Sequence, residues 1–353
     1  MGGVLGPMSK PAFEPVRDIP DLSGKGGMQP SSESSISHTN FQIIIVTGGN
    51  TGIGYETVKQ LLLKNAKVYL AARSPGKAAT AIQSLEAETK ATAIFLQLDL
   101  GDLASVRQAA ESFLKLEGRL DILFNNAGVM NCPTDMLTKQ GHDLQFGTNV
   151  LGHFFFTELL LPALTRSYEH SNGKVPARII TTSSIGHHAA PGCGFDVASL
   201  RDGPERDAWI KKEGSILAPV YLYGRSKIGN IYMANYWAKA HSDVLVSCSV
   251  HSGAIRLICP QTHDGSIAAP PSHRVLTPIV RTFLSFVLRD SDELLNRRGA
   301  LPQLWAATAA TPAQITGQYV LPWGVIGKAN KRTADTKVER EMIEYMREQL
   351  QEY

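Results

Sequence analysis

The sequence has few cysteines and little net charge, which argues against several protein classes at once. Its four cysteines in 353 residues are scattered and form no Cys-x-x-Cys pair. This spacing argues against a disulfide framework and against a zinc site. The net charge of +3 gives no reason to expect nucleic acid as a partner. We therefore expect a cytoplasmic protein that binds neither a metal ion nor nucleic acid.

Targeting and membrane signals are also missing. The first residues lack a basic segment followed by an apolar run, and Gly6 stands where a myristoylation signal needs Ser or Thr. The most apolar late stretch, residues 275–288, is interrupted by Pro278 and Arg281 and is shorter than the ~20 residues of a membrane span. Membrane association is not expected. We favour a helix over the ligand site here, rather than one that enters a membrane interface.

Apolar runs of strand length alternate with helical patterns from residue 41 onward. Hydrophobic residues make up 43% of the chain and charged residues 19%, enough apolar material for a core. The alternation predicts an α/β fold, a single Rossmann-type doubly wound parallel sheet with helices on both faces. The predicted strands are residues 42–47, 68–72, 93–99, 120–125, 178–183, 244–249 and 318–321. The predicted helices are residues 54–64, 75–88, 102–117, 142–166, 220–241 and 299–310.

The composition divides the chain into three parts. Residues 1–40 are rich in Gly, Pro and Ser and are predicted to be a flexible tail. Residues 41–330 form the predicted domain, and residues 331–353 a C-terminal tail with an exposed, charged helix. Two long excursions within the domain, residues 189–219 and 257–298, follow predicted strands and are expected to shape a ligand pocket or lid.

A glycine-rich turn joins the first predicted strand to a helix. Glycine permits positive φ and close approach of a ligand. The helix start offers N–H groups and a positive dipole end to a pyrophosphate. No Lys-Ser or Lys-Thr pair follows Gly54, which argues against a phosphate-transferring loop. We expect a dinucleotide to be held by Thr47, Gly48, Asn50, Thr51, Gly52, Ile53 and Gly54.

Arg73 follows the second predicted strand and bears on the choice of dinucleotide. An NAD site would place Asp or Glu near this strand end, whereas an arginine can pair with a 2′-phosphate. The sequence therefore favours NADP(H) over NAD(H), although a surface arginine at the start of a loop would look the same. Asp99 ends the third strand and has two interpretations: a contact with adenine, or a cap on the helix that begins nearby.

Tyr223 and Lys227 stand four residues apart in a predicted helix and therefore share one face. An unperturbed tyrosine has a pKa of ~10. A neighbouring ammonium favours the phenolate and lowers that pKa. The phenol can then act as general acid or base on a carbonyl/alcohol pair.

Three further polar positions accompany this pair. Ser183 and Ser184 end a strand, Asn125 begins the turn Asn-Asn-Ala-Gly after another strand, and Asn149 interrupts an apolar helix. Strand-end capping would also explain the serines, and a helix kink or a satisfied core amide would explain Asn149.

The order of these motifs resembles that of the short-chain dehydrogenase/reductase family over roughly residues 41–324. The motifs are Thr-Gly-x-x-x-Gly-x-Gly, Asn-Asn-Ala-Gly, Asn149, the strand-end serine and Tyr-x-x-x-Lys. The sequence is similar in particular to retinol-dehydrogenase-like and WW-domain-oxidoreductase-like members, in Ala72-Arg73, residues 149–154 and Gly317-Gln318-Tyr319. No WW-type module is visible in residues 1–40. The resemblance implies a small-molecule carbonyl or alcohol substrate and either a monomer or a homodimer.

The resemblance also implies a role for each matching residue. Tyr223 is the proton donor or acceptor, and Ser184 rather than Ser183 holds the substrate oxygen. Lys227 binds the nicotinamide ribose and lowers the pKa of Tyr223, and Asn149 supports a water that leads a proton towards Lys227. The implied cofactor contacts outside the glycine-rich turn are Arg73, Asp99, Asn125, Ala127, Gly128, Tyr223, Lys227 and Gly253.

The segment after the sixth strand departs from the family pattern. Ser252 replaces the usual proline and Leu257 the usual threonine, whereas Gly253 is retained. Because this backbone normally contacts the nicotinamide amide, the change predicts a weaker grip on the cofactor. Two functions follow. One is an NADP(H)-dependent oxidoreductase for a fairly apolar carbonyl or alcohol, favoured by the complete catalytic set. The alternative is a catalytically weak NADP(H)-binding sensor or regulatory protein.

Overall fold

A computed structural model describes residues 13–23, 41–253 and 292–353 of the chain. In these ranges a central sheet of eight strands has the order β3-β2-β1-β4-β5-β6-β7-β8. Neighbouring strands are parallel from β3 to β7, and only β8 is antiparallel. The strands are β1 Ile43–Thr47, β2 Lys67–Ala72, β3 Ile94–Gln97, β4 Ile122–Asn125, β5 Ala177–Ser183, β6 Leu245–His251, β7 Tyr319–Leu321 and β8 Val325–Gly327.

Helices cover both faces of this sheet. The helix bounds are α1 Pro15–Asp18, α2 Gly52–Leu62, α3 Pro75–Thr89, α4 Leu103–Leu116, α5 Leu144–Phe146, α6 Gly152–His170, α7 Pro204–Ala240, α8 Asp292–Thr308, α9 Pro312–Ile315 and α10 Thr336–Gln349. A π turn, Gly147–Leu151, joins α5 to α6. Helices α4, α6, α7 and α10 contribute to one core cluster, and α2, α3 and α8 to the other. The predicted α/β doubly wound fold is therefore confirmed, with the antiparallel β8 as an addition that the sequence pattern did not predict.

Strand β1 shows why its apolar run is continuous. Ile43 and Ile45 pack into one core cluster, while Ile44 and Val46 pack into the other. A strand that is covered on both faces needs apolar side chains at every position. β1 also lies at the switch point of the sheet, because the chain passes outward to β3 and returns to β4 on the other side. Ligands of such folds bind at the carboxyl ends of the strands at this point.

Part of the predicted flexible tail is packed against the domain. Phe13, Ile19 and Leu22 are at most 4% exposed and belong to the α2/α3 cluster. Backbone hydrogen bonds join Leu22 to Lys64 and Gln42. The prediction of a flexible tail is therefore wrong for residues 13–23, since three apolar side chains find a place in the core.

The first excursion is largely helical. Helix α7 begins at Pro204, sixteen residues before the predicted start at residue 220, and is broken at Gly214 with φ 81° and ψ 158°. A buried ion pair of Arg206 with Asp143, 3.0 Å long, holds its first half. The Arg225 guanidinium lies 4.6 Å from the centre of the Trp209 ring. These tertiary contacts support a helix across a Gly- and Pro-containing segment that reads as a loop. In the second excursion, α8 begins at Asp292, and the amphipathic stretch 275–288 lies outside the described residues.

The C-terminal helix is not a solvated appendage. One face of α10 is buried in the α6/α7 cluster through Val338, Met342, Ile343, Tyr345 and Met346. The rings of Tyr345 and Phe146 lie 6.3 Å apart, and Arg347 pairs with Glu158 of α6 at 3.0 Å. The prediction of an exposed charged helix is thus correct for one face and wrong for the other. Within residues 13–23, 41–253 and 292–353, no helix is both long and apolar enough to cross a membrane.

Replacing Met346 with alanine tests this packing. Met346 is 0% exposed. We expect Met346→Ala to lower the free energy of unfolding by about 2–5 kcal/mol, because the shorter side chain leaves a cavity and the residues around it lose packing contacts. Glu344→Ala, on the exposed face of the same helix, is the matched control and should change it by less than about 0.5 kcal/mol. Urea unfolding measures both. A Met346→Ala protein as stable as the control would contradict the packing of α10.

Candidate active site

The turn after β1 is shaped by contacts that only glycine allows. Gly48 and Gly52 adopt φ values of +67° and +57°. A Cβ atom at Gly54 would lie 2.2 Å from the Gly48 carbonyl oxygen, so no larger residue fits. Thr51 is the N-cap of α2, and its side chain makes no hydrogen bond to the first turn. The first-turn N–H groups therefore carry no side-chain cap, an arrangement that suits an anion. All seven residues predicted from the motif lie here: Thr47, Gly48, Asn50, Thr51, Gly52, Ile53 and Gly54.

The Thr47 hydroxyl connects this turn to the end of β4. Its Oγ1 accepts the backbone N–H groups of Asn126 and Ala127, at 2.9 Å each. It also lies 2.9 Å from His153 Nε2. His153 Nδ1 donates to the Asn149 carbonyl at 3.0 Å, which leaves Nε2 as an acceptor for Thr47. Burial lowers the pKa of His153 to about 4, so the ring stays neutral. Thr47 is thus a structural link within the site.

Asn125 at the end of β4 and Gly128 in the turn that follows differ in their roles: the asparagine is structural, and the glycine lines the site. The Asn125 side chain is fully buried and donates to Thr157 of α6 at 3.0 Å. Gly128 lies beside the catalytic candidates, since a Cβ there would be 3.2 Å from Asn149 Oδ1 and 3.4 Å from Lys227 Nζ. The resemblance implies that both residues line the cofactor. Asn125 could do so only through its backbone, and Gly128 because it has no side chain.

The carboxyl end of β5 brings Ser184, Tyr223 and Lys227 together. A Cβ atom at Gly186 would lie 2.6 Å from the Tyr223 ring and 3.5 Å from Ser184 Oγ, so the serine and tyrosine side chains lie close together. Lys227 Nζ donates to the Thr182 carbonyl at 2.9 Å and lies 5.8 Å from the centre of the Tyr223 ring. The two serines differ, because Ser183 Oγ donates to the Lys227 carbonyl at 2.7 Å and is committed to holding the helix. Ser184 is the serine that contacts the tyrosine.

Asn149 lies in the π turn and faces this cluster. Its Oδ1 accepts the Val129 N–H at 2.8 Å, and its Nδ2 donates to the Val129 carbonyl and to Ser226 Oγ at 2.9 Å each. A π turn widens the helix by one residue and often occurs at functional sites. The helix is distorted at Asn149, and the Asn149 amide lies beside Gly128, next to Lys227.

The chain is similar to known proteins in sequence and in fold. A family model described as short chain dehydrogenase matches residues 42–195. A short-chain dehydrogenase/reductase of Armillaria gallica is 43% identical over 339 residues, or 96% of this chain and 94% of that relative. Retinol dehydrogenase 12 of Homo sapiens is 35% identical over 290 residues, or 80% of each chain. The solved Pseudomonas aeruginosa RhlG/NADP active-site complex is 22% identical with a TM-score of 0.53, covering 80% of this chain and 95% of that one; it shows the fold alone.

The chain belongs to the short-chain dehydrogenase/reductase family. The similarity to retinol dehydrogenases predicted from the sequence is confirmed. As a family member it is an NAD(P)-dependent oxidoreductase that acts on CH–OH groups. Its substrate is accordingly a small-molecule carbonyl or alcohol.

The pKa values of Tyr223 and Lys227 differ from what the sequence predicted. Burial raises the pKa of Tyr223 to about 12, and the hydrogen bond with Ser184 opposes that rise. Burial lowers the pKa of Lys227 to about 7. The predicted lowering of the Tyr223 pKa by Lys227 is therefore wrong for the protein chain by itself. Desolvation disfavours both charged forms, and a lysine with this pKa carries only part of its charge at neutral pH.

Two predicted contacts of the adenosine end lie at the carboxyl edge of the sheet. Arg73 directly follows β2 and is exposed. Asp99 Oδ1 accepts the Gly101 N–H at 3.0 Å, whereas Asp102 is the N-cap of α4. The helix-cap interpretation of Asp99 is thus wrong, because the capping carboxylate comes three residues later.

The segment after β6 keeps a glycine where the backbone needs one. Gly253 has φ +83°, and its N–H donates to His251 Nδ1 at 3.2 Å. The Ser252 hydroxyl is buried and has no hydrogen-bond partner among the described residues. Leu257 lies outside the described residues.

His187 positions Ser184, a role that the sequence did not identify. His187 is fully buried, and its Nδ1 donates to the Ser184 carbonyl at 2.6 Å. Its Nε2 accepts the Asn330 N–H at 2.9 Å, and the rings of His187 and Tyr319 lie 5.1 Å apart. The only sequence signal for this role is the pair His187-His188, which follows Ser184 by three residues. Over the described ranges no group of three or more metal-ligating side chains occurs.

The buried Lys227 makes stability depend on pH in a defined direction. Its pKa is about 7 in the folded protein against 10.5 ordinarily. Between these values the unfolded chain binds more protons, so the free energy of unfolding rises with pH. We expect the wild type to gain stability relative to Lys227→Met as pH increases from about 7 to about 10.5.

Urea unfolding at several pH values gives this difference, with Lys174→Met, an exposed lysine, as control. A difference that stays constant over the range would mean that Lys227 keeps its ordinary pKa.

Proposed function

We propose that the protein is an NADP(H)-dependent oxidoreductase that interconverts a carbonyl and an alcohol on a fairly apolar small molecule. The observation that carries the proposal is the closeness of the Ser184 and Tyr223 side chains, both next to Gly186, beside the buried Lys227. This arrangement places two hydroxyls, the proton donor of Tyr223 and that of Ser184, at one point next to the amino group of Lys227. A carbonyl oxygen placed there can accept from both hydroxyls.

The glycine contacts fit a dinucleotide. The backbone packing of Gly54 on Gly48, the uncapped start of α2 and the bare surface of Gly128 beside Lys227 all allow close approach of a ligand. The glycine-rich turn would hold the pyrophosphate, Arg73 a 2′-phosphate, and Lys227 the nicotinamide ribose. The backbone at Gly253 would face the nicotinamide amide. A bound nicotinamide supplies or takes up the hydride.

The chain's own residues manage the proton. In the reduction, the Tyr223 hydroxyl gives its proton to the substrate oxygen, while the Ser184 hydroxyl donates a hydrogen bond to that oxygen. The phenolate formed at Tyr223 is stabilised by the Lys227 ammonium, which the negative charge in turn keeps protonated. Asn149 supports a water that returns a proton towards Lys227. The oxidation of an alcohol runs through the same groups in reverse.

A sensor that binds NADP(H) without turnover is the alternative. The observation in its favour is the Ser252 hydroxyl, which is buried and has no hydrogen-bond partner within the described part of the chain. Ser252 lies in the segment that departs from the family pattern. A sensor has no need of a serine, a tyrosine and a lysine at one point, so the enzyme is the better-supported function.

Replacing the tyrosine tests the catalytic role. We expect Tyr223→Phe to reduce turnover by about 10²–10⁴-fold, because general acid–base catalysis contributes that much. Dinucleotide affinity should stay within a few-fold of the wild type. The measurement is NADPH oxidation with a carbonyl found by screening, together with fluorescence titration of NADPH. Tyr168→Phe, on α6, is the matched control. Full turnover by Tyr223→Phe would overturn the mechanism, and a wild type that binds NADPH but reduces no carbonyl would favour the sensor.

Replacing Arg73 tests the choice of dinucleotide. We expect Arg73→Ala to weaken NADPH binding by about tenfold or more and to leave NADH binding unchanged, since only NADPH carries the 2′-phosphate. Fluorescence titration of both dinucleotides gives the two affinities. Arg340→Ala, an exposed arginine on α10, should change neither. Equal affinity of the wild type for NADPH and NADH would refute the preference.

A further inference from the structure

One buried glutamine lies among apolar side chains of α8. Gln303 is 0% exposed, as are Ala300 and Leu304 of the same helix. A glutamine amide has two donors and an acceptor, and leaving such groups unpaired in the interior costs free energy. Gln303 must therefore take its partners from the elements that surround α8.

Those partners come from three different elements at the site. Gln303 Oε1 accepts the Thr182 hydroxyl of β5 at 3.0 Å. Its Nε2 donates to Thr57 Oγ1 of α2 and, at 3.3 Å, to Asn126 Oδ1 after β4. They are separated from Gln303 by 121, 246 and 177 positions along the chain. A single side chain thus joins the end of β5, the end of β4 and the helix that follows the glycine-rich turn.

Asn126 connects this junction to the glycine-rich turn itself. Its Nδ2 donates to the Thr47 carbonyl at 2.8 Å. That nitrogen is also the atom that a Cβ at Gly54 would approach to 2.7 Å. Thr57, the second partner, donates to the Ile53 carbonyl in the first turn of α2 at 2.8 Å. Both donor contacts of Gln303 therefore act on residues that contact the turn.

The direction of these hydrogen bonds leaves little choice of side chain. Because the Asn126 Nδ2 is committed to a carbonyl, its Oδ1 faces α8 and requires a donor there. The Thr182 hydroxyl is oriented towards α8 and requires an acceptor. A side chain that offers both from one terminal group is an amide, and in α8 only the glutamine at position 303 reaches all three partners.

We infer that Gln303 is a positioning residue for the dinucleotide: it holds the Asn126 amide and the start of α2 in the arrangement that the glycine-rich turn needs to bind a dinucleotide. It does not contact the ligand or the reacting atoms. The inference rests on the proposed function, because its effect appears in dinucleotide affinity.

The test is a double-mutant cycle in NADPH affinity, measured by fluorescence titration. Gln303→Met keeps the side-chain volume and removes every hydrogen bond, and we expect NADPH binding to weaken about tenfold. Asn126→Ala should weaken binding at least as much. The double variant should lose less affinity than the product of the two single losses, because part of the effect of Gln303 passes through Asn126. A purely structural role would lower the melting temperature without this coupling.

Thr308→Val is the control on the same helix. Its hydroxyl bonds only within α8, to the Leu304 carbonyl at 2.7 Å, so NADPH affinity should not change. Thr57→Val is a milder second variant that removes one of the three contacts, and we expect a two- to fivefold loss of affinity.

Three results would overturn the inference. Gln303→Met or Thr57→Val binding NADPH as tightly as the wild type would do so, and so would independent, multiplying effects of Gln303→Met and Asn126→Ala. A wild type that binds no dinucleotide would overturn the proposed function and this inference together. If the wild type binds NADPH, unchanged affinity of a variant or independent effects of Gln303→Met and Asn126→Ala would overturn this inference alone and leave the proposed function intact.

Discussion

Buried polar side chains at the carboxyl ends of β1, β4 and β5 cost free energy unless they are paired inside the protein. The side chains of Thr47, Asn125, Thr182 and Ser183 all make such hydrogen bonds. Thr47 illustrates the constraint: its hydroxyl accepts two backbone N–H groups and meets a neutral histidine, which in turn bonds to the Asn149 carbonyl. The geometry of the site follows from this pairing. The glycine-rich turn, the turn after β4 and the π turn before α6 have little freedom to move separately. Such preorganisation is what binding and catalysis require of a site.

Burial has a second consequence, which concerns charge. The same low-polarity surroundings raise the pKa of Tyr223 to about 12 and lower that of Lys227 to about 7, so each group alone favours its neutral form. Each of these pKa shifts would hinder the proposed proton transfer if its group acted alone. When the tyrosine gives up its proton, the phenolate and the ammonium stabilise each other in a medium that screens them weakly. The pair is thus suited to change charge together.

Much of the fold could be predicted from the sequence, because the signals for it are local. A continuous apolar run marks a strand covered on both faces, and all seven predicted strands exist with ends shifted by a few residues. The errors have one physical cause. Phe13 packs against the domain from a Gly- and Pro-rich segment, α7 begins in a segment that reads as a loop, and Met346 makes α10 part of the core. In each case distant residues provide the stabilisation, and local composition contains no record of them.

The same division holds at the candidate site. The sequence alone determined the glycines of the turn, since a positive φ and a 2.2 Å approach exclude every other residue, and it determined that Tyr223 and Lys227 share a helical face. Only the tertiary structure decided that Ser183 bonds to the Lys227 carbonyl, that Asp99 caps no helix and that Gln303 joins three elements. The spacing of residues along the chain determines which side chains share a face within one helical turn or one strand. Which buried donor meets which acceptor depends on how elements more than a hundred residues apart pack together.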